Sequence, residues 1–331
     1  MNALRFWAAR LGGTLAVLLV VVISTFAIFQ WLPADPALMS CGKPCTAENY
    51  AAARHFLGID EPVITQIWNY LRGIFAGRTF GTGSGAIDCP APCLGYSFQL
   101  NRPVTDLILS RFPVTASITI GAAILWLAFG IIGGSIAALH AGRGPDRTVT
   151  VITTLGVSMP IYLVGMLAIL VFGFGLGWLP TGGYQPFVED PVGWFSHLLL
   201  PWIALAFTNA ALYARLTRTE LIDQLSSDHI RTARAIGLTE TAVVTRHGLR
   251  NALLPVVTIF GLDLGILLGG AVIIEKVFSM QGIGSLLISA VGTSDLQVVV
   301  GVTLWSAALI VVANLVVDLV YVVIDPRVAI A

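Results

Sequence analysis

Four cysteines, Cys41, Cys45, Cys89 and Cys93, form two C-x3-C pairs, and three carboxylates, Asp263, Glu275 and Asp318, stand inside strongly apolar runs. Thiols so grouped either oxidise to disulfides or hold a metal. C-x3-C is looser than the C-x2-C of zinc sites and no histidine is close in sequence, so disulfides are expected and a metal site is not. Four cysteines allow three connectivities, all left open by the spacing. A carboxylate at membrane depth costs roughly 2.5–3.5 kcal/mol on insertion scales, so it either lines a path or pairs across helices. Asp318 has Asn314 one turn before it and Tyr321 one turn after, which favours pairing; Asp263 and Glu275 are candidates for a path. His55, Asp60 and Glu61 read as solvated loop groups, and so do Glu189 and Asp190. The chain has no H-E-x-x-H, and its two lysines, Lys43 before Pro44 and Lys276 after Glu275, lie outside any G-x-x-x-x-G-K-[ST] loop. No catalytic residue and no cofactor bound by this chain are expected.

The elements that must position these groups are membrane helices. Of 331 residues, 56% are hydrophobic and 11% charged, and the mean hydropathy is +0.86, whereas soluble domains are about a quarter charged. Eighteen basic and 18 acidic residues cancel, which excludes a nucleic-acid binder driven by bulk charge. A hydrocarbon core about 30 Å thick takes roughly 20 apolar residues to cross. Six stretches qualify, at about 11–32, 112–139, 148–178, 197–215, 253–278 and 296–324, with Pro160 expected to kink the third. The first is too long for a signal-peptide core and reads as an anchor.

Lys/Arg bias in short loops sets orientation. Arg5, Arg10, Arg143, Arg147, the cluster from Arg215 to Arg250, and Arg327 share one side if there are six spans, while loops 178–197 and 279–296 contain no Lys or Arg. Both termini are therefore expected in the cytoplasm. The chain divides into 1–32 (terminus and first span), an exterior segment 33–111 with all four cysteines, a core 112–324 with a cytoplasmic elbow at 215–252, and a tail 325–331. Cysteines confined to the oxidising side agree with disulfides.

In the elbow, Ser226, Ser227 or Asp228 can cap a helix with Ile230, Ala233 and Ile236/Gly237 at helical spacing and Arg231 and Arg234 on another face. Gly237 should end it, and Thr239 should cap a second helix to about Asn251. Such a helix lies on anionic lipid or docks into a groove on a soluble partner. Further on, Gly261, Gly265 and Gly269 form a small-residue stripe for close helix packing, against a neighbouring span or another subunit, leaving Asp263, Leu267, Gly270 and Ile274 on the opposite face.

The run with Ala233, Ala235, Gly237, Arg246, His247, Leu249, Asn251 and Pro255 resembles the cytoplasmic EAA loop of binding-protein-dependent ABC importers, in particular B-type permease subunits of the dipeptide/oligopeptide branch. LPADPA at 32–37, LGIDEPVITQIWNYLRGIFAG at 57–77, RFPVTASI at 111–118, GGAVIIEKVFSMQGIG at 269–284 and NLVVDLVYVVIDPRV at 314–328 extend the likeness over nearly the whole chain. Departures are Ala34 for Gly, Gln281 for Pro, Arg231 at the Glu of the triplet, and the cysteine-bearing stretches 38–52 and 79–102. The resemblance implies an all-α integral membrane protein with six transmembrane helices, of the type I importer permease kind, in a prokaryotic inner membrane. It also implies a homologous second permease, two cytoplasmic ATPase subunits that use ATP and Mg, and an exterior substrate-binding protein. Arg231, Ala233, Arg234, Gly237, Arg246, His247 and Asn251 would then couple to the ATPases. The cargo of such permeases is a dipeptide, oligopeptide, metal complex, glutathione or haem. A different class, an ion-coupled secondary transporter using Asp263 or Asp318, would need an internal repeat, and none is visible; an intramembrane enzyme fits less well still.

Overall fold

Backbone amides inside hydrocarbon have no water to bond, so each crossing must satisfy its own hydrogen bonds. The structure, a computed structural model, describes residues 60–80, 86–97 and 99–324 and, before them, 12–13, 16–25, 27, 37, 45–48, 50–51 and 54; side chains are excepted at 318 and 321–324. Among the described residues four helices are long and apolar enough to cross: α3 (Val104–Leu139), α6 (Pro191–Ser226), α8 (Glu240–Leu268) and α11 (Leu296–Ile324). A fifth crossing is the bent pair α4 (Gly144–Ser158) and α5 (Ile161–Gly175) if the two are one span. The described part of the first expected span is a shorter apolar helix, α1 (Ala16–Thr25).

The centre of the fold is the seam between α3 and α6. Apolar side chains gain little from leaving lipid for protein, so close backbone approach through small residues drives packing. A β-carbon at Gly130 would lie 2.6 Å from Tyr213 Cβ, and one at Gly134 would lie 2.5 Å from the Ala214 carbonyl oxygen. Trp126, Leu198, Leu200, Leu205 and Tyr213 are buried along this seam, and the Trp202 indole donates to the Ser117 carbonyl at 2.9 Å. Asp190 caps α6, accepting from the Gly193 amide at 2.9 Å with Pro191 in the first turn.

The glycine stripe faces α11 of the same chain. Gly261 meets Val317, a β-carbon at Gly265 would stand 2.9 Å from Ile310 Cα, and one at Gly269 would stand 2.8 Å from Ser306 Cβ. Ser306 Oγ also donates to the Gly269 carbonyl at 2.9 Å.

Outside the membrane helices, α2 (Val63–Ala76) leads into two antiparallel hairpins. The first pairs β1 (Arg78–Phe80) with β2 (Ile87–Cys89), and the second pairs β3 (Tyr96–Ser97) with β4 (Arg102–Pro103). Cys89 and Cys93 are joined by a disulfide and, with Phe80 and Tyr96, form a small core; Cys45 is also disulfide-bonded, and Cys41 lies outside the described residues. Sulfurs bonded to each other leave no thiolate for a metal. This cap sits at the start of α11 through Ser97, whose hydroxyl donates to Asp295 Oδ2 at 2.5 Å, and Gln99, which donates to the Thr293 carbonyl at 2.6 Å.

Several boundaries differ from those read in the sequence. The second span begins eight residues earlier than expected, at Val104 rather than 112, because Pro103 starts the helix and Pro113 is accommodated within it. The fourth runs through Arg215 to Ser226. In the third, Met159 before proline takes an extended conformation (φ −90°, ψ 125°), and the chain turns by 100°, a break rather than a kink. The fifth stops at Leu268; Gly270 has φ +149°, a region that only glycine enters readily, and the chain turns into short helices α9 (Val272–Val277) and α10 (Ile283–Gly292). Helix α11 spans 296–324, as expected.

Two outcomes test this packing. Gly261→Leu should lower folded yield through overpacking of the α8–α11 contact by about 1–3 kcal/mol. Ile266→Leu on the same helix, at a 57% exposed site, should not; equal losses would refute the intrachain role of the stripe. Burial raises the Asp295 carboxyl above the usual range, against opposing hydrogen bonds from Ser97 and the Val298 amide. Its stabilising contribution is therefore present below the ordinary carboxylate pKa and lost as pH rises through the raised one. The melting temperature in detergent should fall with rising pH across that window, and Asp295→Asn should flatten the slope; an unchanged slope would reject the assignment.

Candidate functional site: the elbow and the groups behind it

The elbow is built by local rules. Helix α7 (Asp228–Ala235) follows α6 after Ser227 alone. Gly237, at φ +85°, closes it: its amide bonds the Arg234 carbonyl at 3.0 Å and the Leu238 amide bonds the Ala233 carbonyl at 3.3 Å, the pair that defines a Schellman end. Thr239 then caps α8, accepting from the Ala242 amide. Arg234 bridges to Glu240 across the turn at 2.6 Å.

Ile230 and Ala233 are buried against Val243 and Leu225. This corrects the apolar docking face read from helical spacing, since two of its residues hold α7 onto α8 rather than face outward. What projects is a tip formed by Ile236 (72% exposed) and Leu238 (39% exposed). Arg231 and Arg234 on α7 and Arg246 on α8 are exposed around it, with Arg231 paired loosely to Asp228 at 3.3 Å. Leu238 was missed in the sequence; its signal is position, the first residue after a helix-ending glycine. An apolar tip flanked by arginine–carboxylate pairs and fixed by a capped turn can enter a groove on another protein.

Behind the tip, α8 runs as one helix from Glu240 to Leu268. Residues Val243–Leu249, including Arg246 and His247, take wider π-helical turns, a feature common at functional positions. His247 is half-buried and Asn251 exposed on this segment. The separate second helix expected to end near Asn251 does not exist as such: the chain stays helical through the π-type turns and accommodates Pro255, which removes one rung of the hydrogen-bond ladder.

The intramembrane groups divide by partner. Asp263 is half-buried and accepts from the Tyr213 hydroxyl of α6 at 2.8 Å; Trp126 packs on both Tyr213 and Phe260 beside it. The face expected to be free with Asp263 is largely occupied: the Leu267 carbonyl accepts from Thr119, Gly270 abuts Gly284, and Ile274 is 1% exposed. The reason is the break at Gly270, which turns Ile274 into the core. Glu275 is fully buried in α9 rather than near the end of the fifth span. Its carboxylate accepts from Thr115 Oγ1 at 2.7 Å and the Ser285 amide at 2.7 Å, while Thr115 accepts from the Ile283 amide at 2.9 Å. Gly282 sits directly on this pair, where a β-carbon would strike Glu275 and Thr115. Glu275 thus fastens the turn 275–285 to α3. Asn314 is half-buried, and the side chain of Asp318 lies outside the described residues. Asp146, in the first turn of α4, is buried and paired with Arg218.

Comparison with known proteins places these features. Residues 3–119 match the family described as binding-protein-dependent transport system membrane component, N-terminal, and residues 130–330 match the binding-protein-dependent transport system inner membrane component. A Brucella abortus (strain 2308) protein described as a peptide transport system permease is 37% identical over 96% of this chain and 97% of its own length. The glutathione transport system permease protein GsiC of Escherichia coli O6:H1 is 39% identical over 98% of this chain and 99% of its own. A solved amino acid ABC transporter overlaps 67% of this chain and 94% of its own, with 15% identity and a TM-score of 0.46. Membership of this family carries with it ATPase and binding-protein partners and a multi-pass place in the inner membrane. The chain belongs to the binding-protein-dependent inner membrane components, and within them it is an ABC importer permease of the peptide family.

Proposed function

We propose that this permease forms half of a translocation pore with a homologous second permease, is driven by two cytoplasmic ATPase subunits that dock on the Ile236/Leu238 tip, and imports peptides. Both termini are cytoplasmic and the disulfide-bonded cap is exterior, in keeping with the Lys/Arg bias and the redox asymmetry of the membrane. The observation that carries the reading is the continuity of α8, from the elbow at Glu240 to the level of Asp263 and beyond. ATP binding favours one state through differential contacts at the tip, and α8, a single helix that accommodates Pro255, passes the displacement on to the Asp263–Tyr213 contact. Relatives named for peptide and glutathione transport support a small amide-linked cargo, glutathione being itself a tripeptide.

Ile236→Asp should weaken ATPase association about thirtyfold, the size of a ~2 kcal/mol interface anchor, while leaving the exposed elbow folded; undiminished co-purification and ATP-driven uptake would overturn the docking assignment. Asp263→Asn should cut uptake of labelled glutathione or dialanine in proteoliposomes by roughly tenfold, about 1.4 kcal/mol, with assembly intact. Assembly lost in step with uptake would make Asp263 structural.

A further inference from the structure

The cytoplasmic end of the fold contains a second polar link. Asp146, in the first turn of α4, is 5% exposed. Arg218 donates to it twice, Nε to Oδ1 at 2.6 Å and Nη2 to Oδ2 at 2.8 Å, and the Gly142 amide donates to Oδ2 at 2.8 Å. A guanidinium fork on a carboxylate fixes direction as well as distance. Arg218 lies on α6 about two turns before that helix ends at Ser226, where the elbow begins.

On the membrane side of this pair the helices do not fill the space between them. A groove of about 340 Å³ separates α3, α4 and α6, lined by residues including Phe129, Gly133, Val149, Thr153, Phe207 and Ala214. Beyond it α4 meets α6 again at Gly156, where a β-carbon would stand 2.7 Å from Ala211 Cβ. Helix α4 is therefore held to α6 near its two ends with an open groove between. The chain then turns by 100° at Met159–Pro160. Past the turn α5 presses on the outer segment: a β-carbon at Gly165 would stand 3.0 Å from Val277 Cγ1 and 3.3 Å from the Phe278 ring. That is the segment Glu275 fastens to α3.

We propose that Asp146 and Arg218 are positioning residues that carry elbow motion from α6 into α4 and, across the Pro160 break, into α5 and residues 272–278, in parallel with α8. This rests on the coupling role assigned to the elbow above. Any force on α7 also acts on α6, because Ser227 alone joins them. Loose apolar contact around an open groove slips under such a force, whereas a two-bond charged fork holds its register. Removing one partner strands a buried charge, so the informative variant removes both charges.

The test is a distance measurement in the assembled complex with its ATPases in lipid nanodiscs. Spin labels go at Phe174 on the outer end of α5 and Val192 at the outer start of α6, which are 74% and 79% exposed. ATP with vanadate should shift the distance in the unmodified complex, and the Asp146→Asn/Arg218→Gln variant should lose the shift while its ATPases stay bound and active. The same shift in that variant overturns the proposal. If the double variant does not assemble, Arg218→Lys, which keeps the charge without the fork, must show the loss, and an unaltered shift there overturns it. Gly237→Val separates the two readings. If it abolishes the shift and the pair variants keep it, this proposal alone fails; if it keeps the shift, or the unmodified complex shows none, the elbow reading fails with it.

Discussion

The close approach of α3 and α6 through Gly130 and Gly134 is the contact from which the other placements follow. In lipid an apolar side chain gains little by touching another apolar side chain, so helices associate where backbones come near enough for dense contact. The seam sets Tyr213 opposite α8, where its hydroxyl meets Asp263. It sets Thr115 to receive the turn fastened by Glu275, and it brings Arg218 to the start of α4. A larger residue at either glycine would push apart two 36-residue helices and displace every polar group that depends on their spacing.

Those polar groups share one physical condition. A buried charge is retained when a partner offsets its desolvation. Glu275 meets this with a hydroxyl and a backbone amide, and Asp146 with a guanidinium and an amide. Asp263 accepts from one hydroxyl and remains half-exposed. The difference separates scaffold from candidate pathway: a carboxylate with several donors is fixed in place, whereas one with a single donor retains capacity for another ligand.

The elbow joins local and long-range structure. Its shape follows from capping chemistry within a dozen residues, and Ile230, Ala233 and Val243 lock it to α8. A stiff, capped turn transmits displacement instead of absorbing it, which the proposed docking of the ATPases requires. At the other end of the bundle the disulfide between Cys89 and Cys93 stiffens the cap and the Ser97–Asp295 contact seats it at the start of α11.

Much of this was legible in the residues alone. Hydropathy located α3, α6, α8 and α11, and α11 matched its expected limits, because an apolar run bounded by polar turns is a local property. The Gly237 turn, the Thr239 cap and the glycine stripe were legible for the same reason: each is written within one or two helical turns. Helix ends at 104, 226 and 268 were not, since polar ends of long helices carry no hydropathy signal and the break at Gly270 depends on a backbone angle. The inward turn of Ile230 and Ala233, the Glu275–Thr115 pairing across 160 residues and the Asp146–Arg218 clamp across 72 lay beyond sequence reading. Partners so distant along the chain are chosen by which helices pack together, and that is settled by three-dimensional fit at the small-residue seams.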